Sequence, residues 1–470
     1  MKIQRSRIIA VSAILVLIAA FACKQKESHK TVIQAHIDGY EGQQALLKST
    51  SPYQMTADTA FFNPESYLLY NLSLATPEYY TVAVGRTKMI LYARPGDSVI
   101  FSANATNILS SVQFRGSAPI YNDYLIRFNK ISADYQSKLM RNFANSESVV
   151  VHQIDSLRAL HADELAALQK GNSNIDPYFL RIEKARILYE WAILHRIYPD
   201  YYNYIHRGTD FKTSPEYDTY LAEVNLNDEI LINLPLYLSF LDTYMRTYYN
   251  QYFTDSLESK YPSFAEYQLH EVGKKFTNKT IKALMAYKVV KQQIMYDGVK
   301  DQDSYWPTFK KLCNNKILRN NIDKRLAAWD NLKKGKPAKN FTFVSIDGSS
   351  VSLSDFNGKW VYIDIWATWC NPCMAEVPYL KKLEEEFQDK NIAFISISVD
   401  QTQNPWKKVV AQHQMKGVQL WAGQNEIIKN FYKVSGIPRF MIIDPQGNIY
   451  QASADRPSQG IANLLTKLVK

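Results

Sequence analysis

The sequence predicts an α/β domain over residues 336–470, a central mixed sheet with helices on both faces, preceded by a β-rich domain over 31–116 and a mainly helical region over 117–332. Three observations predict it. After residue 340, buried apolar runs alternate with helical stretches; short apolar runs divided by Gly, Pro, Asn and Asp fill 31–116; apolar residues at three- and four-residue spacing fill 117–332. A chain of 470 residues is too long for a single core, so more than one domain is expected.

The first element is an export signal. Lys2, Arg5 and Arg7 make a positive start, and Ile8 to Phe21 is apolar apart from Ser12. That run is short for a membrane span and ends in Ala20-Phe21-Ala22, which suits a signal peptidase. Residues 1–22 therefore read as a signal peptide. Cys23 follows at once, and the chain turns polar with Lys24, Gln25, Lys26 and Glu27. A cysteine directly after a small-residue site resembles a bacterial lipobox. The resemblance implies cleavage before Cys23, a lipid anchor on it, and residues 23–30 as a tether. Ordinary secretion with a free Cys23, or an uncleaved anchor, are the other readings. All of them place the chain outside the cytoplasm, in the cell envelope or periplasm.

Composition narrows the class. Hydrophobic residues are 46% and charged residues 21%, which is globular and neither disordered nor multi-spanning. The formal charge of +10 is scattered and includes Lys2, Arg5 and Arg7, so no nucleic-acid footprint is read from it. Only four cysteines occur, Cys23, Cys313, Cys370 and Cys373. One Cys-x-x-Cys pair in so cysteine-poor a chain points to redox chemistry and not to a stapled scaffold.

In the β-rich segment, strands are expected at Val32–Ile37, Tyr67–Leu74, Tyr79–Val84, Met89–Tyr92, Ser98–Phe101 and Val112–Phe114, with turns at Asp38-Gly39 and Pro95-Gly96-Asp97. The segment resembles the β-rich domain found ahead of redox domains in exported lipoproteins, on Ala93-Arg94-Pro95-Gly96-Asp97-Ser98-Val99 and on Phe114-Arg115-Gly116 before Asn122-Asp123-Tyr124-Leu125. No function follows from that resemblance. Helices are expected at Asp155–Leu168, Leu180–His195, Ile230–Tyr249, Ile281–Met295 and Ile317–Leu332, punctuated by Pro177, Pro199, Pro235, Pro262 and Pro307. Their tyrosines read as packed faces, with a ligand groove as the alternative. Cys313 reads as a lone buried thiol. The polar stretch from Asn331 to Lys339 marks the last domain boundary.

The C-terminal domain begins with Phe341–Ile346 and Ser350–Leu353 around the Asp347-Gly348 turn. Trp360–Trp366 and Ile392–Val399 are buried strands, and Val418–Trp421 a short one. Helices are expected from Cys370 to about Gln388, at Pro405–Gln414, at Glu426–Val434 and over Pro457–Lys470. Arg439–Ile443 and Asn448–Ala452 form a hairpin around Asp444-Pro445-Gln446-Gly447.

The chemistry sits at Trp369-Cys370-Asn371-Pro372-Cys373, between a buried strand and a helix. Free N–H groups and the positive end of the helix dipole stabilise a thiolate there. Cys370, expected as the first helical residue and the more exposed, is the candidate nucleophile. Cys373, one turn deeper, is the candidate resolving thiol. Pro372 is tolerated because the first turn needs no donors. A zinc site is not read here, since neither a second Cys-x-x-Cys nor a nearby His pair exists.

The run Val361-Tyr362-Ile363-Asp364-Ile365-Trp366-Ala367-Thr368-Trp369-Cys370-Asn371-Pro372-Cys373-Met374-Ala375-Glu376-Val377-Pro378 resembles the active-site segment of thioredoxin-like proteins, nearest to the exported TlpA-like and ResA-like thiol–disulfide oxidoreductases. Gly436-Ile437-Pro438, some 65 residues on, resembles their cis-proline loop. The resemblance covers about the last 135 residues. It implies a thioredoxin-like fold, Asp364 as the buried proton acceptor for the second thiol, and Glu376 as an active-site carboxylate. It also implies Pro438 facing the dithiol, with Trp369, Pro372 and Ile437 in support. A peroxidase of the peroxiredoxin kind is disfavoured, because Ala367 stands where its Thr belongs. The expected activity is thiol–disulfide exchange, more often reducing than oxidising. Its partners are disulfide- or dithiol-bearing exported proteins and a membrane-embedded electron donor. No cofactor is implied, because electrons pass through the cysteines. A cell-envelope binding protein with a vestigial redox module, and a disulfide isomerase, are the alternatives.

Overall fold

The computed structural model describes residues 29–117, 119–206, 211–254, 257 and 259–470. The expected signal peptide and Cys23 lie outside them. The chain divides into two compact units, one up to Gln251 and one from Tyr252, so the stretch read as one helical region contributes helices to both. Among the described residues no helix is long and apolar enough to cross a membrane.

The first unit opens with two four-stranded sheets. Strands β1 (His29–Asp38), β4 (Tyr67–Leu74), β7 (Ser98–Asn104) and β8 (Gln113–Gly116) form one, in the order β4-β1-β7-β8. Strands β2 (Gln44–Ser49), β3 (Asp58–Phe61), β5 (Glu78–Val84) and β6 (Thr87–Ala93) form the other, in the order β3-β2-β5-β6. Alternate residues of both sheets, among them Ile33, Ala35, Leu47, Val82, Leu91 and Phe101, meet in one core. The Arg94–Asp97 turn is closed by Asp97 N–H to Arg94 O at 3.1 Å, with Gly96 at φ 86°, a backbone that Gly adopts without a Cβ penalty.

Four long helices complete this unit: α1 (Pro119–Ser137), α2 (Glu147–Gly171), α3 (Pro177–Ile205) and α4 (Pro235–Tyr252). Pro199 does not end α3 but lies inside it, while Pro235 starts α4 and so breaks the helix expected over Ile230–Tyr249. The tyrosines are mostly packed: Tyr79, Tyr92, Tyr121 and Tyr124 surround Phe179. The buried Arg186–Glu183 pair lies beside them, and Tyr79 donates its hydroxyl to Glu183 at 2.7 Å.

The second unit begins with α5 (Phe264–Lys275), α6 (Lys279–Asp297), α7 (Gln302–Leu312) and α8 (Lys316–Ala327). Their N-caps are local: Ser263 accepts the Glu266 N–H, Asn278 those of Thr280 and Ile281, and Asn315 that of Leu318. Pro307 sits inside α7. Cys313 is fully buried and free, and burial pushes its thiol up.

The rest is a seven-stranded mixed sheet, a thioredoxin-like arrangement. Its strands are β9 (Thr342–Ser345), β10 (Ser350–Ser352), β11 (Trp360–Trp366), β12 (Ile392–Ser398), β13 (Val418–Trp421), β14 (Arg439–Ile443) and β15 (Ile449–Ala454). Their order is β10-β9-β13-β12-β11-β14-β15. β11, β12 and β13 run parallel, and β14 returns antiparallel beside β11. β11 and β14 are almost wholly buried, as a central strand covered on both faces must be. Helices α9 (Asn371–Glu386), α10 (Gln403–Gln412) and α11 (Ala462–Leu468) cover the sheet. The helix expected over Glu426–Val434 is a single wider turn, Ile427–Phe431.

Candidate active site

β11 ends at Trp366, and four residues later the chain reaches Cys370, the N-cap of α9. This corrects the expectation that Cys370 is the first helical residue. Helical backbone starts at Asn371, and Cys370 keeps an extended ψ of 93°, as capping residues do. The consequence is direct: Cys370 Sγ accepts the Cys373 N–H at 3.2 Å. A thiolate at that sulfur inherits one of the unsatisfied donors of the helix start and the positive end of its dipole. The two cysteines form a disulfide. The expected difference in exposure is absent in this oxidised form, with Cys370 at 5% and Cys373 at 4%. What separates them is therefore position along the helix, not access.

The cystine rests on an apolar floor. Trp366, Ala367, Trp406 and Val410 are buried with it, and Ile437 packs against the same cluster. Each large side chain so buried contributes roughly 2–3 kcal/mol, which holds the floor rigid. Trp369, next to the nucleophile, is 68% exposed. The Ile437–Pro438 bond is cis, and Pro438 opens onto β14, the neighbour of β11.

Helix α9 buries one stripe: Cys373, Glu376, Val377, Leu380, Leu383 and Glu384. The three- and four-residue spacing explains the stripe; the two carboxylates on it need separate explanation. Glu376 is tied down. It accepts the Ser458 N–H at 3.0 Å and the Ser458 hydroxyl at 2.8 Å, with Arg456 Nη1 at 4.0 Å. Among the described residues Glu384 has no hydrogen-bond partner at Oε2, and burial pushes its carboxyl up to about 7.

Asp364, in the middle of β11, is 6% exposed, with Oδ1 unpartnered among the described residues. Burial, then the charges of Glu376 and Glu384, push its carboxyl up to about 8, against a small opposing effect of the Ser396 hydroxyl. Such a group exchanges a proton near neutral pH.

Sequence reasoning missed Asp400. This buried side chain holds the loop before the nucleophile. It accepts the Thr368 hydroxyl at 2.7 Å, the Thr368 N–H at 3.1 Å and the Ser398 hydroxyl at 2.7 Å. Its own carbonyl accepts Trp421 Nε1–H at 2.8 Å. The available signal was an Asp just past the carboxyl end of a parallel strand, the edge where open α/β sheets build their sites. Among the described residues no cluster of metal-ligating side chains occurs.

Comparisons with known proteins find similarity over the C-terminal part of the chain. The family model described as AhpC/TSA matches residues 334–452, a stretch that contains Asp364, both cysteines and Pro438. The thiol-disulfide oxidoreductase ResA of Bacillus thuringiensis subsp. konkukian is 34% identical over 122 residues, covering 26% of this chain and 70% of that protein. ResA of Bacillus subtilis is 25% identical over 148 residues, covering 31% of this chain and 80% of its own length. Among solved structures, the thioredoxin domain of a thiol-disulfide oxidoreductase from Bacteroides vulgatus is 32% identical, covers 30% of this chain and 99% of that one, and has a TM-score of 0.28.

Proposed function

The chain belongs, through its C-terminal domain, to the family of thiol–disulfide oxidoreductases that includes ResA, and on that premise we propose that it reduces disulfides of proteins outside the cytoplasm, Cys370 attacking and Cys373 resolving. The observation that carries the reading is the Cys370 sulfur at the α9 N-cap, already accepting the Cys373 N–H. Attack of the Cys370 thiolate on a substrate sulfur breaks the substrate S–S bond, and the leaving sulfur takes a proton. Cys373 then gives its proton to a base and attacks Cys370 Sγ, releasing the second substrate thiol. The substrate cystine gains two electrons, and the Cys370–Cys373 dithiol loses two. Asp364 is the base under the site, Glu376 the second carboxylate near it, and Pro438 lacks an N–H, which leaves the adjoining backbone of the loop to a substrate chain. Trp369, Pro372 and Ile437 shape the approach. A membrane-embedded donor restores the dithiol.

The reading is tested by equilibrating the full chain with thiol buffers and measuring its reduction potential. A value near about −270 mV supports a reductant, and one near about −120 mV makes it an oxidant and ends this reading.

The N-terminal reading continues as a proposal: residues 1–22 are removed and Cys23 carries lipid, on the strength of the charged start, the apolar run and Ala22-Cys23. Membrane fractionation of the wild type and of Cys23→Ser decides it. Wild-type protein that comes off membranes without detergent overturns the anchor.

A further inference from the structure

Next to the cystine, at Trp369 and Ile437, lies a groove of about 490 Å³ whose lining includes Val399, Ile428 and Val434, with Glu426 and Lys429 among its polar members. One wall has a different origin. It is Tyr296, in the last turn of α6, 46 residues before Thr342, where the first strand of the redox sheet starts. Tyr296 is 46% exposed.

Tyr296 is held there from both sides of the proline loop. The carbonyl of Met295, its neighbour, accepts the Ser435 hydroxyl and Arg439 Nη2–H, each at 3.0 Å. These two residues bracket Gly436-Ile437-Pro438. Arg439 is 2% exposed, and its guanidinium lies 5.3 Å from the centre of the Trp329 ring. Gly436 completes the fit: a Cβ there would meet Tyr296 Cε1 at 2.5 Å, so only Gly lets the ring lie against the loop. The end of α6 and the proline loop are thus one piece, and Tyr296 lines the same groove as Trp369 and Ile437.

We propose that Tyr296 is a specificity-determining residue, forming with Ile428, Val434 and Ile437 a subsite for an apolar side chain beside the cysteine of an extended polypeptide substrate. The inference rests on the protein-disulfide reductase reading above. The groove is continuous with Trp369 and Ile437, which flank the cystine, and that continuity selects a substrate chain as its occupant. The Tyr296 ring with Ile428, Val434 and Ile437 makes the apolar part of a lining that also carries Glu426 and Lys429, and it is that part that selects an apolar side chain.

The test uses the pre-reduced full chain in single turnover against two synthetic peptide disulfides, one with Leu and one with Asp beside the cysteine, and against oxidised glutathione. The wild type is expected to favour the Leu peptide about tenfold, mainly through apparent affinity, as one apolar side chain in a fitted pocket allows. Tyr296→Ala is expected to reduce that preference to about twofold, Tyr296→Phe to keep it, and oxidised glutathione to react equally with all three proteins. A wild type without preference, or a Tyr296→Ala chain that loses the two peptides and glutathione in parallel, overturns the subsite. A wild type that reduces none of the three substrates instead overturns the reductase reading on which it stands.

Discussion

A Cys373→Ser chain is expected to accumulate mixed disulfides with its substrates, while a Cys370→Ser chain accumulates none. The asymmetry follows from the helix start. Cys370 caps α9 and its sulfur receives the Cys373 N–H, a place that favours a thiolate. Cys373 lies in the first turn on the buried stripe, one turn further into the helix. Without Cys373 the first attack proceeds and release does not, so the substrate stays attached. Without Cys370 no attack begins. Either change should lower turnover by on the order of a thousandfold or more, since the two sulfurs act as a unit. Non-reducing gels, with mass spectrometry of the adducts, read the outcome. Adducts on Cys370→Ser, or preferential alkylation of Cys373 in the reduced wild type, reverse the assignment.

The second large effect concerns Asp364. Asp364→Asn is expected to slow resolution of the mixed disulfide about a hundredfold near pH 7, the usual size of a lost general base. The same change should stabilise the fold at high pH. The sign follows from linkage. The carboxyl sits at about 8 in the folded chain, raised chiefly by burial, against about 4 when unfolded. Below about pH 4 it is protonated in both states and stability is unaffected. As pH rises from about 4 through about 8, the unfolded chain releases its proton more readily and the wild type loses stability. The Asn variant has no such proton to lose, so it gains roughly 3–5 kcal/mol relative to the wild type at pH 8 and nothing at pH 4. Denaturant melts at the two pH values measure the difference, and stopped-flow measurement of substrate release gives the rate. An Asn variant that resolves at the wild-type rate removes Asp364 from the mechanism. Equal stability differences at both pH values would show that its carboxyl is ordinary.

The central strands were legible because burial on both faces leaves a continuous apolar run. Trp360–Trp366, Val418–Trp421 and Arg439–Ile443 were read with the bounds they have. β2 and β3 were not read. β3 buries none of its four residues and exists through backbone pairing with β2, from Gln44↔Phe61 to Leu47↔Asp58. Backbone pairing of that kind leaves no pattern in side chains. The places of Asp364 on a buried strand and of Cys370, Cys373 and Glu376 at a helix start were legible because a short motif fixes their spacing. Asp400 and Tyr296 were not, because their roles are made by topology. Thr368 meets Asp400 across 32 residues only because β11 and β12 are neighbours, and Met295 meets Arg439 across 144.

The tie between Met295 and Arg439 also says where this redox domain ends. The family match begins at residue 334, and a gene dissected there would look complete by that match. Physically it is not. Arg439 is a cation inside the protein, just beyond Pro438, and burial already drives its guanidinium down to about 10 with only the Asp297 charge in opposition. The Met295 carbonyl and the Trp329 ring, both N-terminal to residue 334, are what that cation rests on. Inheritance and autonomy therefore have different borders in this chain. The inherited module starts near residue 334, while the smallest piece that leaves its own buried cation provided for reaches back at least through α6.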